Sequence, residues 1–314
     1  MTGVCVVGSF MADLVVRAPR RPRRGETVIG TSFETFLGGK GFNQAVAAAR
    51  SGASTAMVGR VGPDDHGRRF LAMLAKEGID ATHVTDDPAI PTGVGMPLVE
   101  DSGDNSIIVI PLANHAMRVE HVRAAAPLIE SSRVLLLQLE LPLGVVVEAA
   151  RIARRAGVTV VLNPAPAIGD LSAFAGLVDY LVPNETEAEI LTGVSSDGDP
   201  AASARTLLSR NTVGGVVLTL GARGVLVATD GIDEAIDGWP ADSVDSVGAG
   251  DAFCGGFAAG LAVGMSPQEA ARYGNAAGAI AVTRAGAEPS MPYRAEVLEL
   301  LARVVPPTES GRLG

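Results

Sequence analysis

The chain reads as a doubly wound α/β fold: a mostly parallel sheet flanked by helices, with a small antiparallel β-sheet beside it. Three observations carry that reading. Short runs of Val, Leu and Ile are apolar almost without a break, as strands buried on both faces are. Ala-rich stretches of helical length separate them. Around residues 92–110 the alternation stops, and two extended runs are joined by a turn-rich link.

Taken in order, the first strand is Val4–Val7, and the stretch after Asp13 and Val28–Phe33 are extended in character. A helix follows at Asn43–Ser51, a strand at Ala56–Val58 and a helix at Arg68–Glu77. Thr92–Val99 and Asn105–Ile110, linked by Glu100–Asp104, predict a β-hairpin. Helix Val119–Ser131, strand Val134–Leu139, helix Gly144–Ala156 and strands Val158–Leu162 and Tyr180–Val182 continue the pattern. Helices Glu185–Leu191 and Ala201–Ser209 then precede strands Val216–Leu220 and Gly224–Ala228. The small residues after Asp251 predict a tightly packed helix. The whole, residues 1–314, is expected to be one domain. Segments of about 11–37 and 89–115 form the small sheet, and 305–314 a loose tail. An apolar hairpin needs something to cover or pair with, so the small sheet is either an edge excursion or a lid over a cleft.

Composition narrows the function classes. The chain is 47% hydrophobic but 4% aromatic, so its core is aliphatic, and its 38 glycines point to many tight turns. A formal net charge of −10 argues against a nucleic-acid partner. The one basic cluster, Arg17, Arg20, Arg21, Arg23 and Arg24, is interrupted by Pro19 and Pro22 and reads as a solvated turn. Cys5 and Cys254 lack metal-ligand spacing and read as buried, reduced thiols. The N-terminal MTGVCVVGSF is unlike a signal peptide, and no window has the roughly 20 apolar residues of a membrane span. A cytoplasmic location is expected.

In open α/β sheets ligands bind beyond the carboxyl ends of the strands. There stand Gly8–Asp13, Glu140, Asn163, Pro183–Glu187 and Leu220–Gly224, which together suggest a polar cleft along one sheet edge. Neither a P-loop nor the GxGxxG of a dinucleotide site is present. The loop Leu37–Gln44, with three glycines, can bring bare backbone to a ligand, while Asn43 offers a donor and an acceptor, as sugar hydroxyls require. Asp13 and Glu140 add acceptors. In DSVGAGDAFCGG, Gly248, Ala249 and Gly250 precede Asp251 at a helix start, where bare N–H groups attract anions. Asn184 and Glu187 also have the spacing of an N-terminal capping box.

With these residues in place the chain resembles the PfkB-type sugar kinases, and within them the ribose-phosphorylating branch. Two signature regions carry the resemblance: GGKGFNQAVAAARSGA (Gly38–Ala53) and DSVGAGDAFCGG (Asp245–Gly256). QLELP, LNPAPA, PNETEAEILTG, TLGARGV and AVTRAGAEPS add to it in order, from Gln138 to Ser290. The resemblance implies ATP-dependent phosphorylation of a pentose at its terminal hydroxymethyl group, ribose first, with 2-deoxyribose, another sugar or a nucleoside as alternatives. It implies a β-sheet lid, often clasped between two subunits of a homodimer, and a requirement for Mg²⁺ and an activating K⁺. By resemblance Asp251 is the general base and Gly248–Gly250 the anion hole. The sugar site takes Met11, Asp13, Gly39, Lys40, Gly41, Asn43 and Glu140. The nucleotide falls to Asn184, Thr219, Gly221, Arg223, Gly224, Gly250 and Asn275. Glu187 and Asn184 organise Mg²⁺ through water, and Asp245, Val247, Ala281, Arg284, Gly286 and Ser290 line the cation loops, mostly by backbone carbonyls. A catalytically silent sugar- or nucleotide-binding protein is the rival from another class, and the intact Asp251 speaks against it.

Three positions depart from the family pattern. Met11 stands where an Asn often contacts the sugar, which favours a less hydroxylated substrate. Phe42 replaces a small residue and either narrows the pocket or packs under the lid. Leu112 replaces a usual Gly at the lid exit.

Overall fold

A computed structural model describes residues 3–102, 104–194, 199–211, 213–229 and 231–303. The expected tail at 305–314 lies outside them. The strands are β1 (Val4–Val7), β2 (Met11–Ala18), β3 (Ser32–Gly38), β4 (Thr55–Val61), β5 (Asp80–Asp86), β6 (Gly93–Glu100), β7 (Asn105–Ile110), β8 (Val134–Leu137), β9 (Thr159–Leu162), β10 (Tyr180–Leu181), β11 (Gly215–Thr219), β12 (Val225–Thr229) and β13 (Ile232–Ile236). The helices are α1 (Lys40–Arg50), α2 (Asp65–Lys76), α3 (Val119–Ala124), α4 (Ala126–Glu130), α5 (Leu143–Ala156), α6 (Glu185–Thr192), α7 (Pro200–Asn211), α8 (Ala249–Ala262), α9 (Pro267–Ala281) and α10 (Arg294–Ala302).

Nine strands form the main sheet in the order β13-β12-β11-β10-β9-β8-β1-β4-β5. Pairings from β11 through to β5 are parallel, and the β11-β12-β13 end is antiparallel. Alternate side chains go to opposite faces. Val4 and Val6 join a core with α1, α2, α8, α9 and α10, whereas Cys5 and Val7 join a second core with α3, α4, α5 and residues of α6 and α7. Both faces are thus covered, and the central strands are apolar throughout for that reason.

The second sheet has the order β3-β2-β6-β7. The β6–β7 hairpin lies where the sequence predicts it. β2 pairs antiparallel with β3 but parallel with β6, so the small sheet is antiparallel at its two outer pairings only. The chain leaves β2 for β3 locally and reaches β6 only after a passage through the main sheet, which brings it back in the same direction.

Several boundaries differ from the sequence reading. The predicted helix 119–131 is two helices, because Pro127 stands in the first turn of α4 and has no N–H to continue the ladder. Helix α1 begins at Lys40, so Asn43 and Gln44 lie in its opening turns. Gly41 permits this start: a Cβ there would lie 2.4 Å from the Ser9 nitrogen. Arg17 lies within β2, next to its last residue, while Arg20, Arg21, Arg23 and Arg24 are exposed as a solvated turn. No helix among the described residues is long and apolar enough to cross a membrane. Both cysteines are buried and free.

Candidate active site

At or just beyond the carboxyl ends of β1, β8, β9, β10 and β11, neighbours in the sheet, stand Ser9, Gln138 with Glu140, Asn163, Asn184 and, as the last residue of β11, Thr219. The chain reverses its direction of travel across the sheet between β1 and β8, the position where open α/β sheets form a ligand crevice. A cavity of about 200 Å³ opens there, and its walls include Lys40, Asn184, Glu187, Thr219, Gly248, Gly250 and Asp251. These seven predicted residues are thereby brought together. Asn163, Ser246 and Cys254 share the lining. Of these Asn163 was legible as a polar strand end, and the other two sit within the second signature region.

Helix α8 aims its first turn at this cavity. Its N-cap is Gly248, at φ 79, and no side chain caps it. The Ala249 N–H is taken by Ser246 O, and the first intrahelical bond is Ala252 N–H to Gly248 O. By helix geometry the N–H groups of Gly250 and Asp251 are left for a ligand. The Asp251 carboxylate is 8% exposed and accepts from Asn43 Nδ2 and Gln44 Nε2, each at 2.9 Å. The Oδ1 of Asn43 is buried without a partner, an acceptor ready for a hydroxyl.

The sugar-site candidates of the first half of the chain adjoin Asp251. Glu140 accepts from Lys40 N at 2.9 Å and from the Ser9 hydroxyl, which in turn accepts from Gly41 N. Asp13, on β2, sits between Gly38 and Gly95, where an added Cβ would lie 2.2 and 2.3 Å from its carboxylate oxygens. Burial, then the charges of Glu140 and Asp251, push Asp13 up to about 7. Burial disfavours the charge on Lys40, but the Asp251, Glu140 and Glu187 carboxylates outweigh it and hold the ammonium above its ordinary range. Burial raises Glu187. Met11 is buried beside Gly39, whose Cβ would lie 2.7 Å from the Met11 nitrogen.

Phe42 does not narrow this site. It is fully buried and packs edge-on against Phe70 at 4.8 Å and near Phe10 at 6.1 Å, an aromatic cluster within the core on the α1 side of the sheet. Leu112 has φ 46, the one non-glycine among the described residues with positive φ. Asn114, two residues on, holds the Phe10 backbone at both ends: it accepts from Phe10 N at 2.9 Å and donates to Phe10 O at 2.7 Å. The sequence reading gave it no role.

Asn184 and Glu187 form the reciprocal capping box of α6, at 2.9 and 2.8 Å. Thr219 bonds to Pro183, and Gly221 and Arg223 continue outward as an exposed turn in which Arg223 pairs with Glu185, while Gly224 closes the turn in a buried position, where a Cβ would lie 2.1 Å from Ile236 O. Asn275 is buried on α9, donates to Asp237 O at 2.8 Å and is not among the cavity walls. The proposed cation loops meet: Asp245 accepts from Val247 N at 3.0 Å and Gly286 N at 2.9 Å, and Ser290 donates to Ala287 O. Ala281 O accepts from Arg284 N, and the Arg284 side chain pairs with Glu296. Both this set and the Asn184–Glu187 pair offer oxygen donors, the type that hard cations prefer.

Comparison with known proteins finds relatives along most of the chain. A ribokinase of Haemophilus influenzae is 43% identical over 297 residues, 94% of this chain and 97% of its own. A deoxyribokinase of Salmonella typhi is 36% identical over 81% of this chain and 84% of its own. An Arabidopsis thaliana ribokinase, solved in complex with ribose and ATP, superposes with a TM-score of 0.89 at 32% identity, covering 96% of this chain and 98% of that one. The family model for pfkB family carbohydrate kinases matches residues 1–294, and with the site assembled as described the chain belongs to that family.

Proposed function

We propose that the protein transfers the γ-phosphoryl group of ATP to the terminal hydroxymethyl oxygen of D-ribose. The observation that carries this is Asp251 at the start of α8. A buried carboxylate, fixed by two amide donors, stands one residue from N–H groups with no intrahelical partner. Phosphoryl transfer asks mainly for positioning and charge stabilisation, and one helix turn offers both. Asp251 takes the proton of the attacking hydroxyl, while the N–H groups of Gly250 and Asp251 hold oxygens of the transferred group. Lys40, kept charged among Asp251, Glu140 and Glu187, offsets negative charge between the two substrates. Asp13, Asn43, Glu140 and the backbone of Gly39 and Gly41 hold the sugar hydroxyls, with Met11 against the ring. Thr219, Gly221, Arg223, Gly224 and Asn275 receive the nucleotide.

Glu187 and Asn184 would hold Mg²⁺ through water, and Mg²⁺ would supply charge neutralisation at the phosphates. The loops of Asp245, Val247, Ala281, Arg284, Gly286 and Ser290 would hold K⁺ beside the first turn of α8. The protein works in the cytoplasm as a homodimer joined through the small sheet, which closes over the sugar. One observation favours a second reading, 2-deoxyribose as substrate: the buried Met11 thioether donates no hydrogen bond to a sugar hydroxyl.

Asp251→Asn tests the base. Turnover is expected to fall about 10²- to 10⁴-fold with sugar and ATP binding retained, measured by initial rates and calorimetry. Near-normal turnover would contradict the assignment.

A further inference from the structure

Of the two amides that bind Asp251, only one has its polarity fixed. The fixing begins at the Val182 carbonyl, which can only accept, and which receives Asn163 Nδ2 at 2.9 Å. Asn163 must then turn Oδ1 toward Gln44, whose Nε2 lies 3.2 Å away. The same Nε2 lies 2.9 Å from Asp251 Oδ1, so the two N–H bonds of Gln44 serve two acceptors. Gln44 Oε1 is thereby turned to Gln138, which donates its Nε2 at 2.6 Å. Gln44, Gln138 and Asn163 are all buried. Reversing any one amide would set acceptor against acceptor in a dry interior. Asn43, by contrast, donates to Asp251 Oδ2 and has no second partner at its own Oδ1.

We infer that Gln44 is a positioning residue: its donor end, fixed from Val182 through Asn163 and backed by Gln138, occupies Asp251 Oδ1 and leaves Oδ2 to take the proton. The inference rests on Asp251 being the base. In the step, the substrate O–H bond breaks and its oxygen bonds to the γ-phosphorus. The bond from that phosphorus to the bridging oxygen of ATP breaks, ADP leaves, and the proton ends on Oδ2. Asn43, unanchored, turns its Oδ1 to accept from the new O–H, while Gln44 continues to donate to Oδ1.

The test compares kcat, KM for ribose and thermal midpoint in Gln44→Met, Gln138→Met, Gln138→Glu and Asp251→Asn. Gln44→Met is expected to lose about tenfold to a hundredfold in kcat with KM for ribose within about threefold. Where that variant fails to fold, the Gln138 pair decides. Gln138→Met removes a donor but leaves Asn163 to fix Gln44, and kcat falls less than about fivefold. Gln138→Glu keeps the shape and inverts the polarity, which turns the acceptor of Gln44 onto Asp251. At about pH 9, where the new carboxyl is ionised, its kcat is expected at least about tenfold below that of Gln138→Met. Equal kcat in the two Gln138 variants overturns the relay and leaves the base assignment standing. Near-normal turnover in Asp251→Asn overturns the base assignment and the relay with it.

Discussion

Asp13 is the residue at which burial and charge conflict most directly. Burial, Glu140 and Asp251 raise it to about 7, above the ordinary unfolded value of 3.8. A carboxyl raised in the folded state favours the fold fully below its unfolded pKa, and that contribution is lost as pH rises through the folded value. Between about pH 4 and about pH 8, the unliganded protein is therefore expected to lose on the order of 2–4 kcal/mol relative to Asp13→Asn. Parallel urea titrations of the two proteins measure it, and a difference independent of pH would contradict the placement. Leu112, at φ 46, gives a second residue-scale expectation. Leu112→Ile should destabilise by about 1–2 kcal/mol although hydrophobicity is kept, because β-branching suits the left-handed region poorly, whereas Leu112→Gly should stay within about 1 kcal/mol of the wild type. Thermal denaturation separates the two. The charged members of the site were legible at this scale, since a carboxylate beside a glycine run is conspicuous. The amides were less so. Gln44, Gln138 and Asn163 stand in recognisable segments, but the direction of their hydrogen bonds exists only once four separate elements meet.

At the scale of elements, Asn114 ties the exit of β7 to the connection between β1 and β2, and so fixes how the small sheet leaves the main one. Asn114→Ala would leave the Phe10 N–H and C=O without partners in the interior. A loss of about 2–4 kcal/mol is expected in denaturant unfolding, and a loss under about 0.5 kcal/mol would show that the clamp is not used. Elements whose pattern is strong were read from the sequence to within a few residues: β1, β8, β9 and α5 are examples. Those missed have weak patterns. β5, with sequence DATHVTD, is a polar edge strand, and β13, with sequence IDEAI, carries two adjacent carboxylates and lies at the other edge. Helix α9 carried a usable signal that went unread, the Ser266–Glu269 capping box ahead of an Ala-rich run. The split of α3 from α4 was written in Pro127.

At the scale of the whole molecule, one sheet edge gathers the site residues and one apolar face is left open. The edge was legible because five strands end in polar residues, which a doubly wound sheet must collect on one side. The open face is β7, where Ile107, Ile108, Val109 and Ile110 are all exposed at the margin of the small sheet, with Phe33 and Met96 exposed on its other strands. An apolar edge of this kind pairs or is covered. Sedimentation is expected to give twice the chain mass, and Ile108→Lys to give the monomer; a wild-type monomer would contradict the clasp. The central claim is the transfer of phosphoryl from ATP to ribose. Its most direct test is the initial rate of ATP-dependent phosphorylation with Mg²⁺ and K⁺ present, D-ribose and 2-deoxy-D-ribose side by side, with the phosphorylated carbon identified by NMR. The account predicts the higher kcat/KM for D-ribose, with phosphate on the terminal hydroxymethyl oxygen. Faster turnover of 2-deoxy-D-ribose, or turnover of neither sugar by protein that binds ATP, would contradict it.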